Sequence, residues 1–206
     1  MMDATAKLVQ DSGRGSTITR ETLGNPPAWW AMIFVLFTEG ALFASLLLAY
    51  FYERSNSPAW PPPGIEKPEL LLPLIMTALL IGSSITMIWA ELGIEHGSQL
   101  SLRLGLVLSF ALAVSFLGLQ AYEFSHQSFS LGNGVYSSAF FTITGLHGLH
   151  IAIVVVMGAV LVVQALLGHF TKDHHDPVRI VGLYWHFVDV VWIFILISLY
   201  ISPYLL

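Results

Sequence analysis

Five side chains stand out in the apolar part of this sequence: Glu39 in FTEGALF, His147 and His150 in GLHGLH, and His186 and Asp189 in YWHFVD. Each sits in a stretch otherwise built mainly from aliphatic and aromatic residues. A charged side chain at the centre of a membrane helix costs about 2.5–3.5 kcal/mol on insertion scales, so such groups face a bundle interior and find partners. Three kinds of chemistry are open to them: hydrogen bonds between helices, proton relay, and metal ligation. His147/His150 and His186/Asp189 are both spaced i, i+3, which puts the members of each pair on one helix face.

The metal reading runs short of ligands. Imidazole is the commonest metal ligand, but a carboxylate-bridged di-metal site needs several carboxylates and Glu-x-x-His on two helices. This sequence has one central glutamate and no such motif. A haem held between two histidines needs them at matching depths, and His147 and His186 fall on opposite sides of the membrane midplane. There is no cysteine, so disulfides, iron–sulfur clusters and thiolate sites are excluded. The sequence therefore predicts no cofactor and no metal of its own. Hydrogen-bonded helix contacts, typically worth about a kcal/mol or less each in a membrane, and relay elements both remain open for Glu39, His147, His150, His186 and Asp189. The polar residues of the second and third apolar segments (Thr77, Ser83, Ser84, Thr86, Ser109, Ser115 and Gln120) are too sparse to line a stand-alone channel.

The elements that must position these groups are membrane helices. Of 206 residues, 55% are hydrophobic and 10% charged, where a soluble domain is nearer a quarter charged. Mean hydropathy is +0.73. The net charge of −5 resides in the loops, and no basic tract marks a nucleic-acid partner. A spanning helix needs about 20 apolar residues. Five segments qualify: 29–52, 70–90, 102–122, 136–167 and 180–203. The expected architecture is all-α, a five-helix transmembrane bundle over 29–206 behind a flexible polar tail, 1–28, that lacks the apolar core of a secretory signal. The loops carry breakers, most plainly ERSNSPAWPPPGIEKPE after the first span. Small residues (Gly40, Ala44, Gly82, Ser83, Ser84) are expected to allow close helix packing. Placing the N-terminus inside puts Lys7, Arg14, Arg20, Arg103, Lys172 and Arg179 on the inner side and only Arg54 and Lys67 outside, which favours N-in, C-out.

Depth then pairs the polar groups. Glu39 lies about 15 Å in from Trp29 at 1.5 Å per residue. His150 lies at a similar depth counted from the opposite side. A Glu39–His150 hydrogen bond satisfies both. His147, one turn further out, either extends that contact or bonds a backbone carbonyl. Asp189 is expected to accept from His186 or from a tryptophan. Glu91 and Glu123 are expected at helix ends.

Five stretches in order, FVLFTEGALF (34–43), WPPPGI (60–65), LQAYEF (119–124), FFTITGLHGLHI (140–151) and YWHFVDVVWIF (184–194), together resemble subunit III of the haem-copper terminal oxidases. The resemblance covers 29–206. It implies a subunit without redox centres, packed beside subunits I and II of the oxidase, with haem and copper in those partners. It further implies support for proton uptake and for the stability of subunit I, bound phospholipids, and a place in the bacterial inner membrane. Glu39 matches the family's buried carboxyl and His150 its partner. Trp60, Arg103 and Gln164 are the candidates for lipid contact. Two departures matter. The family's long form has seven helices, its extra pair lying before the position of Trp29. It also has arginine where this chain has Gln164, which hydrogen-bonds but cannot pair charges. WPPPGI and TEG look more like the cytochrome c branch than the quinol branch. A quinol oxidase subunit, a nitric-oxide-reductase accessory protein and an independent ion transporter are the alternatives.

Overall fold

The computed structural model describes residues 26–65 and 67–205. The N-terminal tail, with Lys7, Arg14 and Arg20, lies outside the described residues except at its last positions. The described residues form five long helices: α1 (Pro27–Asn56), α2 (Leu71–Glu95), α3 (Gln99–His126), α4 (Val135–Leu166) and α5 (Asp176–Ile195). α5 continues through a π-helical turn, Leu196–Ile201, into a 3-10 turn, Ser202–Tyr204. All five are long and apolar enough to cross a membrane. There is no β-strand among the described residues.

α1, α2 and α3 overrun the predicted spans because helix geometry does not stop where hydrocarbon does, whereas α4 matches its predicted span to within one residue at each end. α4 has 32 residues, about 48 Å at 1.5 Å per residue against a hydrocarbon core of about 30 Å. α1 and α5 carry a proline in their first turn, Pro27 and Pro177, whose fixed φ suits that turn and whose missing N–H is not needed there. Glu91 and Glu123 are therefore not terminal: each has a further turn of helix beyond it, and Glu123 is buried.

α2 and α3 form a tight antiparallel hairpin joined by His96, Gly97 and Ser98. The Ser98 hydroxyl caps α3 by accepting from Ser101 N–H. The hairpin closes at Gly105, where a Cβ would stand 2.7 Å from Ala90 Cβ and 2.8 Å from the Thr86 carbonyl oxygen. Close packing thus depends on Gly105, rather than on Gly40 or Gly82, where a Cβ would meet nothing nearer than 3.8 and 3.4 Å. α4 packs on α3, and α5 packs on α4 and α2. α1 leans on α4 and α5 and buries only Phe43 and Tyr50. Its outer face, with Phe34, Phe37 and Leu48 at 70% or more exposure, is apolar surface suited to lipid or to other membrane subunits.

Candidate functional site

At the contact between α1 and α4, His150 Nε2 lies 2.9 Å from Glu39 Oε2, with the glutamate side chain 28% exposed. His150 Nδ1 lies 2.7 Å from the Leu146 carbonyl oxygen. A carbonyl only accepts, so Nδ1 carries a hydrogen. A neutral imidazole then presents a lone pair at Nε2, and the carboxyl must be the donor; otherwise an imidazolium faces a carboxylate. Either way one proton is held between the two residues. Phe43 stands edge-on to the His150 ring, centroids 5.1 Å apart, and shields one side of the pair.

His147 does not extend this contact and does not reach a carbonyl. Both its ring nitrogens are without hydrogen-bond partners, and the residue is wholly buried. Its neighbours are Trp192, Phe116 and Phe43, with ring centroids at 5.1, 5.7 and 6.4 Å. It shares a helix face with His150, but its ring is enclosed by aromatic side chains and only His150 reaches Glu39.

Asp189 is also partnered differently from expectation. Ser84 of α2 comes between it and His186: Ser84 Oγ is 2.5 Å from Asp189 Oδ2 and 3.0 Å from His186 Nδ1. The tryptophans instead bond hydroxyls of α2. Trp185 Nε1 donates to Ser83 Oγ at 3.0 Å, and Trp192 Nε1 donates to Thr77 Oγ1 at 2.9 Å. Ser83 and Ser84 are adjacent, so the second apolar segment presents a row of hydroxyls to α5.

The remaining stepping stones are used between helices. Thr86 Oγ1 and Ser109 Oγ lie 2.7 Å apart across the α2–α3 contact. Gln120 Nε2 donates to the Thr144 carbonyl at 2.6 Å, and Gly148 leaves room for that amide. Ser115 bonds its own helix at the Ala111 carbonyl.

The three residues proposed for lipid do not converge. Arg103 Nε donates to the Ala165 carbonyl at 3.0 Å, near the end of α4. Half-buried Gln164 is next to that carbonyl. Trp60 lies at the other end of the bundle, where its Nε1 donates to Tyr50 Oη at 2.9 Å and its ring packs edge-on to Tyr136.

Sequence reasoning missed a second polar set at that end. Tyr200 Oη donates to Glu123 Oε2 at 3.1 Å. Glu123 lines a cleft of about 320 Å³ with Lys67, Glu69 and His126. Arg54 donates to the Ser202 hydroxyl and, at 2.9 Å, to its carbonyl. The LQAYEF stretch held the signal for Glu123, a carboxyl one turn inside a helix end. Its partner, 77 residues away, left no such trace.

These donor sets do not fit a metal or haem. Among the described residues no group of three or more His, Cys, Asp or Glu side chains is placed to hold a metal ion. His150 is bonded on both nitrogens, His186 Nδ1 is taken by Ser84, and His147 is walled in by aromatic rings. What the arrangement can do is hold and pass protons and bind helices together.

The family described as cytochrome c oxidase subunit III matches residues 23–204. The chain is 38% identical over 178 residues to "Cytochrome c oxidase subunit 3" of Scyliorhinus canicula, covering 83% of this chain and 68% of that protein. It is 36% identical, with the same coverage, to the proteins of that name from Dugong dugon and Drosophila melanogaster. With a family match across all five helices and relatives above a third identical, this chain belongs to the cytochrome c oxidase subunit III family.

Proposed function

We propose that this chain is a non-redox, non-catalytic subunit of a proton-pumping haem-copper terminal oxidase, most consistent with a cytochrome c oxidase. On this reading it assembles with subunits I and II in a bacterial inner membrane. It supports proton uptake and the durability of subunit I during turnover. The observation that carries the reading is the use already made of its three histidines within the apolar helices: His150 is bonded to Leu146 and Glu39, His186 Nδ1 to Ser84, and His147 is enclosed by aromatic rings. Haem and copper then belong to the partners.

Phospholipid is part of the same reading. An apolar groove of about 250 Å³ runs between α1 and α5, lined by Gly40, Phe43, Ala44 and Leu47 facing Phe187, Val190, Val191 and Phe194. Its depth and lining suit an acyl chain. Arg103, Gln164 and Trp60 lie outside this lining, and Arg103 Nε and Trp60 Nε1 are already bonded to Ala165 and Tyr50, so the groove accounts for the acyl chain alone.

Oxygen consumption by the purified oxidase with and without this subunit tests the proposal. The expected result is a similar initial rate with activity that decays over repeated turnovers when the subunit is absent. An unchanged time course removes the supporting role. Complete loss at the first turnover makes the chain catalytic. Proton flux through liposomes holding the chain alone makes it a transporter.

A further inference from the structure

We propose that His186, Ser84 and Asp189 form a proton relay across the contact between α2 and α5, in which the Ser84 hydroxyl passes a proton between the carboxyl and the imidazole. Ser84 Oγ stands 2.5 Å from Asp189 Oδ2 and 3.0 Å from His186 Nδ1. A hydroxyl donates one hydrogen and accepts through its lone pairs. It therefore donates to one neighbour and accepts from the other.

Two proton arrangements fit the same heavy-atom positions. In the first, a neutral Asp189 carboxyl donates from Oδ2 to Ser84, and Ser84 donates to Nδ1 of an imidazole protonated at Nε2. In the second, an imidazolium donates from Nδ1 to Ser84, and Ser84 donates to the Asp189 carboxylate. The shift from first to second moves two protons. The O–H bond at Asp189 breaks as a new one forms at Ser84 Oγ. The original Ser84 O–H bond breaks as an N–H bond forms at Nδ1. Serine ends as the neutral hydroxyl it began as, and nothing is oxidised or reduced.

Two further observations separate a relay from a clamp between helices. Buried polar atoms nearly always find hydrogen-bond partners, yet His186 Nε2 and Asp189 Oδ1 are buried without one. These are the two ends of the three-residue chain, where a proton would be taken up and released. The adjacent hydroxyl, Ser83, already serves as the clamp: it accepts from Trp185 Nε1 at 3.0 Å and donates to the Leu80 carbonyl at 2.9 Å. That contact holds α2 and α5 in register and leaves Ser84 free to reorient. Linked Asp and His side chains inside membrane helices commonly mark such relays.

Hydrogen–deuterium exchange in the assembled complex in lipid tests the relay without reference to oxidase turnover, so its failure is separate from failure of the supporting role. The proton shared by the two residues is read at whichever holds it. The infrared carboxyl band abolished by Asp189→Asn reports Asp189, and NMR of isotope-labelled histidine, assigned with His186→Gln, reports His186. Ser84→Ala is expected to slow exchange of that proton by about tenfold or more, because a positioned proton-transfer group is lost, and Ser84→Thr to restore it. A purely structural serine gives the opposite sign, because loosening the contact admits water. Unchanged or faster exchange in Ser84→Ala overturns the proposal. Should that variant fail to assemble, Ser84→Cys keeps the volume with only a weak donor, carries the same expectation and is judged by the same outcomes.

Discussion

Glu39 and His150 share one proton because the Leu146 carbonyl fixes the hydrogen on Nδ1 and leaves Nε2 to the carboxyl. What the pair needs at position 39 is a donor without a net positive charge. Glu39→Gln supplies an amide N–H to Nε2, so it is expected to assemble and to cost no more than about 1 kcal/mol, the usual worth of one such bond in a membrane. Glu39→Lys places an ammonium beside an imidazole with no counter-charge, a cost of about 2.5–3.5 kcal/mol or more. It is expected not to accumulate in the assembled complex. Immunodetection of each variant in purified membranes, with thermal unfolding of the complex, checks both. Equal accumulation of the lysine variant would remove the buried-pair account. Residue identity alone did not separate the two central histidines: both sit on one helix, yet only His150 meets Glu39.

At the scale of the helix, the bundle is set by close approaches at glycines, Gly93 and Gly105 among them, and by a row of hydroxyls. The α2–α3 hairpin needs Gly105, whose missing Cβ makes room for Ala90 and the Thr86 carbonyl. Gly105→Ala forces the two helices apart and is expected to cost about 1–3 kcal/mol, the usual range for overpacking. Gly118, on the same helix, has nothing within 4 Å of an added Cβ. Gly118→Ala is therefore expected to be neutral or slightly stabilising through helix propensity, by up to about 1 kcal/mol. Thermal unfolding of the two variants side by side is the measurement, and a Gly105→Ala chain as stable as Gly118→Ala would refute the close-contact argument. Gly182 differs: a Cβ there would meet the Glu91 carboxyl, the far end of a flexible side chain that can move aside.

For the described residues as a whole, five helices able to cross a membrane would put Pro27 and Tyr204 on opposite sides of it. The balance of Lys and Arg in the loops says which side is which. The natural absence of cysteine gives a clean test. Lys67→Cys, in the loop between α1 and α2, is expected to react with a membrane-impermeant maleimide from outside intact cells. Lys172→Cys, in the loop between α4 and α5, is expected to react only from the cytoplasmic side. The reverse pattern would invert the bundle. Orientation also assigns the ends of the site: the cleft of Glu123, Lys67 and His126 would face out, and Arg103 with Gln164 would face in.

The sequence by itself determined the number and order of the helices, their class, and the family through motifs spread from Phe34 to Phe194. Those features depend on hydrophobicity and breakers along the chain, which are one-dimensional. It also determined that Glu39 and His150 sit at the same depth, because depth in a spanning helix follows from residue count alone. Rotation of each helix about its axis was decided only by tertiary structure. A lipid-facing helix is apolar on all sides, so no contrast between a wet face and a dry face says which way a side chain points. That is why Ser84 between His186 and Asp189, the aromatic enclosure of His147, and the Tyr200–Glu123 bond emerge only in the packed bundle. Each depends on the angle at which two apolar cylinders meet, and that angle is set by Gly105 and the hydroxyls of α2 rather than by any pattern along a single segment.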